Sequence, residues 1–214
     1  MEAKTITLKT LAVSTAAVLI AEMFLRPAVS VLSVSALPGI AITRITEITA
    51  LMLIAHIFEN GSHAIGLAPD RMLSGFIRGL IWSGIFGVSA LILMLLLHAA
   101  GINILRMLHT PLPSSPVPAA IYFAVGGIIG PVAEEIFFRG ILYGYFRRWG
   151  VYPAVIMSTV CFVLPHMNTG LLPITQIVGG LVFAIAYEKE KSLMAPITIH
   201  CLGNLAIFSI GLLS

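Results

Sequence analysis

Charge is what this chain has least of. Asp, Glu, Lys and Arg make up 10% of its 214 residues, against 58% hydrophobic side chains. A soluble domain carries about 25% charged residues. An ordinary water-facing surface is therefore excluded, and the solvent is largely hydrocarbon. Backbone groups in hydrocarbon must be satisfied within the chain, which leaves helices or a closed barrel. The apolar runs are long and do not alternate, so the expected fold class is all-α, a polytopic membrane helix bundle with a buried polar site. Cysteine is also scarce. Cys161 and Cys201 both lie in apolar runs and form neither a disulfide framework nor a zinc knuckle. Asp70, in a loop after Pro69, is the one aspartate, so an aspartyl dyad is excluded. A helix with HExxH is missing, and Ser83 in IWSGIFG lacks the leading glycine of a GxSG-like loop. No basic run interleaves with aromatics, which argues against a nucleic-acid partner. No internal repeat is evident.

What is present is a series of seven apolar segments. A crossing takes about 20 residues. The candidates run from about Leu8 to Leu25, Ile40 to Phe58, Leu73 to Leu97, Val117 to Phe146, Val151 to Met167, Leu171 to Tyr187 and Leu193 to Leu213. Val29 to Leu37 is apolar but short and reads as a re-entrant piece or a helix extension. Lys4 and Lys9 before the first run, with small residues near Ser35 and Ala36, have the outline of a signal peptide. A retained first helix is the favoured reading. TPLPSSPVP, from Thr110 to Pro118, marks a linker, and EKEK, from Glu188 to Lys191, a solvated cap. The expectation is one integral membrane domain over 1–214. Counting Lys and Arg by side puts Lys4, Lys9, Arg71, Arg78, Arg147, Arg148, Lys189 and Lys191 on one face, and Arg26, Arg44 and Arg106 on the other. The positive-inside rule then makes the N-terminus cytoplasmic.

Against this background the fourth segment stands out. GPVAEEIFFRG places Glu134, Glu135 and Arg139 within six residues of an apolar span, where each charge costs about 2.5–3.5 kcal/mol on insertion scales. Glu135 and Arg139 are four apart, share a face and can pair. Glu134 is five from Arg139, about 140° around an α-helix, and is left free. Two adjacent carboxylates in different surroundings suit general acid–base work. Other segments supply partners: His166 in FVLPH, and His200 with Asn204 one turn apart in HCLGN. A histidine and an amide stacked on one face suit an oxyanion on a carbonyl. Glu134 with His166 suits activation of a water. Glu22 with Arg26, and Arg44 with Glu47, read as local ion pairs. His56, His63, His98 and His109 lie at span ends or in loops. Gly126-Gly127 and Gly179-Gly180 read as close helix approaches. Pro131 and Pro165 should kink their helices beside the site.

The pattern EExxxR, then FxxxH, then HxxxN, in separate apolar helices, resembles the CPBP family of CAAX proteases and bacteriocin-processing or self-immunity (Abi-like) proteins. The matching residues are Glu134, Glu135 and Arg139, then Phe162 and His166, then His200 and Asn204. The resemblance covers 117–213. It implies an intramembrane glutamic endopeptidase in which Glu134 and His166 activate water, and His200 and Asn204 hold the oxyanion. Glu135 and Arg139 would orient the helix and tune Glu134. It implies no cofactor, and a membrane-anchored or membrane-associated peptide substrate cut close to its C-terminus. Three other readings stay open: a divalent metal at Glu134, His166 and His200, a non-catalytic immunity or binding protein on the same scaffold, and a proton-coupled transporter.

Overall fold

The structure, a computed structural model, describes residues 5–31, 36–102, 111–169 and 173–212, and among them no strand occurs. Lys4, Ser35, Arg106 and His109 lie outside these residues, as do the first residue of the TPLPSSPVP linker, the start of the sixth apolar segment and the last residue of the seventh. The polytopic helical bundle is as expected. Thr7 caps α1 (Leu8–Ile20), accepting a hydrogen bond from the backbone N–H of Thr10. This satisfies one of the donors a helix start leaves open. The same helix runs on through a π turn, Ala21–Leu25, into α2 (Arg26–Val31), so Val29 to Val31 extend it. α3 (Ala36–Glu59) and α4 (Pro69–Ala99) follow. α5 (Pro116–Ala124) begins a long broken helix. It passes through a π segment, Val125–Ile129, then α6 (Gly130–Glu135), then a second π segment, Ile136–Tyr143. α7 (Val151–Val163) ends in a 3-10 turn, Leu164–Thr169, and α8 (Ile174–Glu190) and α9 (Met194–Gly211) complete the bundle.

Among the described residues five helical stretches are long and apolar enough to cross a membrane: Leu8–Val29, Ala36–Glu59, Ser62–Ala99, Pro116–Trp149 and Met194–Gly211. The fifth and sixth segments read from the sequence are helices too, but short ones. Val151–Met167 falls among the shorter apolar helices, and α8 has 17 residues. Both carry or flank the residues singled out above.

Helix contacts are close where side chains are absent. On α4, Gly75 and Gly79 face α9. A Cβ at Gly79 would lie 2.6 Å from Thr198 Cβ and 2.9 Å from the Ala195 carbonyl oxygen. Gly127 meets Leu205 of α9, and Gly180 of α8 meets Thr159 of α7 at 2.8 Å from the same imagined atom. Gly126 in turn meets Phe208 of α9. Three of the four paired glycines therefore admit a neighbouring helix. Gly179 meets only Phe183 of its own helix.

One end of the bundle gathers four chain segments. Ile6 N–H donates to the Gly144 carbonyl (3.3 Å) and Leu193 N–H to the Gly66 carbonyl (2.9 Å). Thr7 N–H donates to Glu59 (2.9 Å), and the Ser192 hydroxyl to the Arg71 carbonyl (3.3 Å). These segments are the ones whose basic residues the sequence grouped on one side. A small core of Ile6, Leu51, Ala55, Ile65, Ile141, Tyr143 and Leu193 lies beneath this end.

Candidate active site

The charged residues of the fourth segment sit where the helix changes pitch. Glu134 and Glu135 end α6, and Arg139 lies in the π segment that follows. π-segments inside α-helices often mark functional positions. Glu135 and Arg139 are both fully buried, and Arg139 Nη1 donates to Glu135 Oε1 at 2.7 Å. The pairing read from the spacing is present. Arg139 Nη2 also donates to the Gly180 carbonyl at 3.2 Å. The guanidinium lies 4.5 Å from the ring centroid of Phe162 and 5.2 Å from that of Phe183. Cation–π contacts of this kind strengthen when desolvated. They help offset the cost of a buried guanidinium.

His200 of α9 enters the same cluster. Its Nδ1 is 2.8 Å from Glu135 Oε1. An ionised carboxylate only accepts, so that nitrogen carries the proton and the other, Nε2, faces Glu134 Oε2 at 3.8 Å. The ring stacks on Phe183, with centroids 4.6 Å apart and planes at 21°. Glu135 Oε1 thus accepts from both the guanidinium and the histidine. Glu134 keeps about a fifth of its side chain exposed, and among the described residues its carboxylate makes no hydrogen bond.

Pro131 beside the site releases a backbone carbonyl, and a residue singled out from the sequence takes it up. In the π segment Val125–Ile129, Gly130 N–H donates to the Val125 carbonyl, five residues back. By the same register the Gly126 carbonyl would take its donor from residue 131, and Pro131 has no N–H. Asn204 Nδ2 donates to it instead, at 2.9 Å. Phe162 lies in the last turn of α7, just before the 3-10 turn Leu164–Thr169. His166 Nδ1 lies 2.9 Å from its carbonyl oxygen. Since a carbonyl only accepts, His166 Nδ1 holds the proton and Nε2 presents a lone pair.

The fold therefore brings Glu135, Arg139, His200 and Phe162 into direct contact, with Glu134 at the edge. His166 packs on Phe162, ring centroids 5.1 Å apart. Asn204 lies one turn beyond His200, engaged with Gly126. Among the described residues no side-chain hydrogen bond joins Glu134 to His166 or Asn204 to His200. Nor do three or more His, Cys, Asp or Glu converge as a metal site among them. Sequence reasoning missed Phe183, which carries both Arg139 and His200. Its position three residues past Gly180, on the face that Gly180 opens to α7, was the available signal. It also missed a cross-helix bond. Glu22 with Arg26 (3.0 Å) and Arg44 with Glu47 (2.6 Å) are the expected local pairs, but Arg44 Nη2 additionally reaches Glu22 at 3.0 Å.

Residues 116–206 match the model of the family described as type II CAAX prenyl endopeptidase Rce1-like. The chain is 33% identical over 95 residues to the membrane-embedded CAAX protease MroQ of Staphylococcus aureus (41% of this chain, 37% of that protein). It is 32% identical over 81 residues to a Bacillus subtilis protein named "Putative membrane peptidase YdiL" (37% and 33%). These matches support a CPBP family protein. The CPBP-like region begins at the first turn of α5 and ends two residues past Asn204, so it holds every residue of the cluster around Glu135. The chain spans about a third of the length of the curated relatives it matches. No solved structure gives a match.

Proposed function

We propose that this protein is an intramembrane endopeptidase of the CAAX-protease type. The observation that carries the reading is the unequal treatment of two adjacent carboxylates. Glu135 is buried and bonded to Arg139 and His200, while the Glu134 carboxylate is partly exposed and makes no hydrogen bond among the described residues. A carboxylate held beside a fixed cluster but not consumed by it is suited to take a proton from water. In the proposed reaction Glu134 accepts that proton as the oxygen of water attacks the scissile carbonyl carbon. His166, its Nδ1 proton committed to Phe162, orients the water through Nε2. The carbonyl oxygen becomes an oxyanion facing His200 and Asn204. Asn204 has a second Nδ2 hydrogen to offer it. Collapse breaks the C–N bond, and Glu134 returns the proton to the leaving amine. Glu135, Arg139 and Phe162 support this arrangement without touching substrate.

The reading is metal-free, because the guanidinium of Arg139 beside Glu135 disfavours a cation there. The substrate is a membrane-anchored or membrane-associated peptide cut near its C-terminus. The N-terminus and the basic end of the bundle face the cytoplasm. The test compares protein termini in membranes from cells expressing wild type or Glu134→Gln at matched levels. New termini made only by the wild type support the reading and name the substrate. Identical termini, with both proteins folded, overturn it in favour of immunity or transport roles. Loss of the wild-type termini in chelator would overturn the metal-free part alone.

A further inference from the structure

Basic residues crowd one end of the bundle, and several of them are already spent. Glu188 takes Arg147 and Lys191, at 3.0 and 2.6 Å. Arg148 donates to the Tyr145 and Ile6 carbonyls and lies over the Tyr145 ring. Arg78 and Lys189 are held differently. Arg78 belongs to α4, and 64% of its side chain is exposed. Its neighbours on that helix, Phe76, Ile77, Leu80 and Ile81, are exposed as well. The guanidinium therefore stands on a surface made to meet hydrocarbon, where a bare charge is costly. The carboxylate beside it is Glu190, at the end of α8, whose Oε2 lies 3.9 Å from Arg78 Nε. Arg78 Nη1 and Nη2 make no hydrogen bond among the described residues.

Trp82, one turn after Arg78, completes the arrangement. Its Nε1–H donates to Glu190 Oε1 at 2.9 Å. A tryptophan in a membrane's aromatic belt keeps its polar edge toward the wet side. Here that edge is tied to the protein, and the tie joins α4 to α8. Lys189, also exposed, has its Nζ 5.7 Å from the indole centroid. Two exposed cations, one from each helix, thus flank one indole beside an apolar face.

We infer that this crevice binds the headgroup of an anionic phospholipid, its phosphate taken by Arg78 and Lys189 and its acyl chains lying along the apolar face of α4. A guanidinium meets phosphate oxygens in pairs, and an ammonium adds a point charge. The exposed Phe76, Ile77, Leu80 and Ile81 offer nothing to an inorganic ion and a surface to a lipid. Arg78, Lys189 and Glu190 together leave one positive charge. That favours a headgroup of net negative charge over one whose phosphate is matched by its own ammonium. The inference does not depend on the peptidase reading.

For the test, the protein is purified in mild detergent and titrated with phosphatidylglycerol or phosphatidylcholine, and lipid-bound forms are resolved by native mass spectrometry. Wild type should bind phosphatidylglycerol the more tightly. Each cation near a membrane surface is worth about fivefold toward anionic lipid. Arg78→Gln and Lys189→Gln should each weaken the first phosphatidylglycerol by about that factor and leave phosphatidylcholine unchanged. Both side chains are exposed, so neither change removes a buried contact. Lys9→Gln removes the same charge from α1, where Lys9 lies over the Phe58 ring at 4.3 Å, and should leave the lipid in place. Unchanged binding in Arg78→Gln and Lys189→Gln overturns the inference. Equal weakening by Lys9→Gln does so too, since it would show diffuse surface charge, as does equal binding of the two lipids by wild type. Inorganic phosphate that displaces the bound lipid would make the crevice a site for the free ion, and likewise overturns it.

Discussion

At the scale of single residues, the cluster is a chain of bonds in which each buried charge has a stated partner, and the cost of breaking it depends on which end is cut. Arg139 is the member with the most bonds: Glu135, Gly180 and two aromatic faces. Replacing Arg139 by Met leaves Glu135 buried with only His200 to face it. Removing one partner of a buried pair costs about 3–5 kcal/mol, whereas replacing both with apolar groups of like size is near neutral. Arg139→Met should therefore lower the melting temperature in detergent markedly. Arg139→Met with Glu135→Leu should recover most of the loss while remaining inactive. Additive losses in the double variant would mean that the pair is not the unit of stability. Asn204 poses a simpler case. Asn204→Ala strips the Gly126 carbonyl of its donor, for about 1–3 kcal/mol.

At the scale of helices, the bundle depends on places where two backbones approach with no side chain between them. α4 is exposed along most of its length, with Leu73, Ile77, Ile81, Ile85, Ile92 and Leu95 facing outward, yet Gly75 and Gly79 lie against α9. At Gly79 an added Cβ meets both the Thr198 side chain and the Ala195 backbone, and the backbone cannot rotate away. Gly79→Ala should displace α4 from the helix that carries His200 and Asn204, whereas Gly84→Ala, whose added Cβ meets nothing within 4 Å, should not. Trypsin sensitivity and melting temperature of the two variants check this. Equal behaviour would show that the contact is not limiting. The GxxxG spacing of Gly75 and Gly79 was visible in the sequence, but so were several other glycines in apolar runs. Only the neighbour distinguishes Gly79 from Gly84. Similarly, EExxxR gave the Glu135–Arg139 bond because both ends lie on one helix. The bond from Glu135 to His200 spans 65 residues, and no spacing encodes it. The π segments were illegible for a related reason. Pro131 announced a break, but which carbonyl it would free depends on the register chosen around it, and that register is set by packing.

At the scale of the whole molecule, the ends of four chain segments meet at the basic face, and Glu188 ties two of them. It follows Tyr187, the last residue of the sixth apolar run, and accepts from Arg147 Nε and Nη2 (both 3.0 Å), from Lys191 Nζ (2.6 Å) and from the Tyr143 hydroxyl (2.6 Å). Burial alone would raise the carboxyl, but these donors together hold it down at about 2. An unfolded glutamate titrates near 4.5. The folded group is the stronger acid, so the clamp contributes its full stability above that value and loses it as pH falls toward about 2. The wild type should therefore lose its stability advantage over Glu188→Gln across that acid window and keep it unchanged between about pH 6 and 8, a range well above the titration. Melting temperatures of both proteins across the series decide the matter. A difference that stays constant down to the acid end would mean that the Glu188 carboxylate is not what joins the end of α8 to the turn after Tyr143.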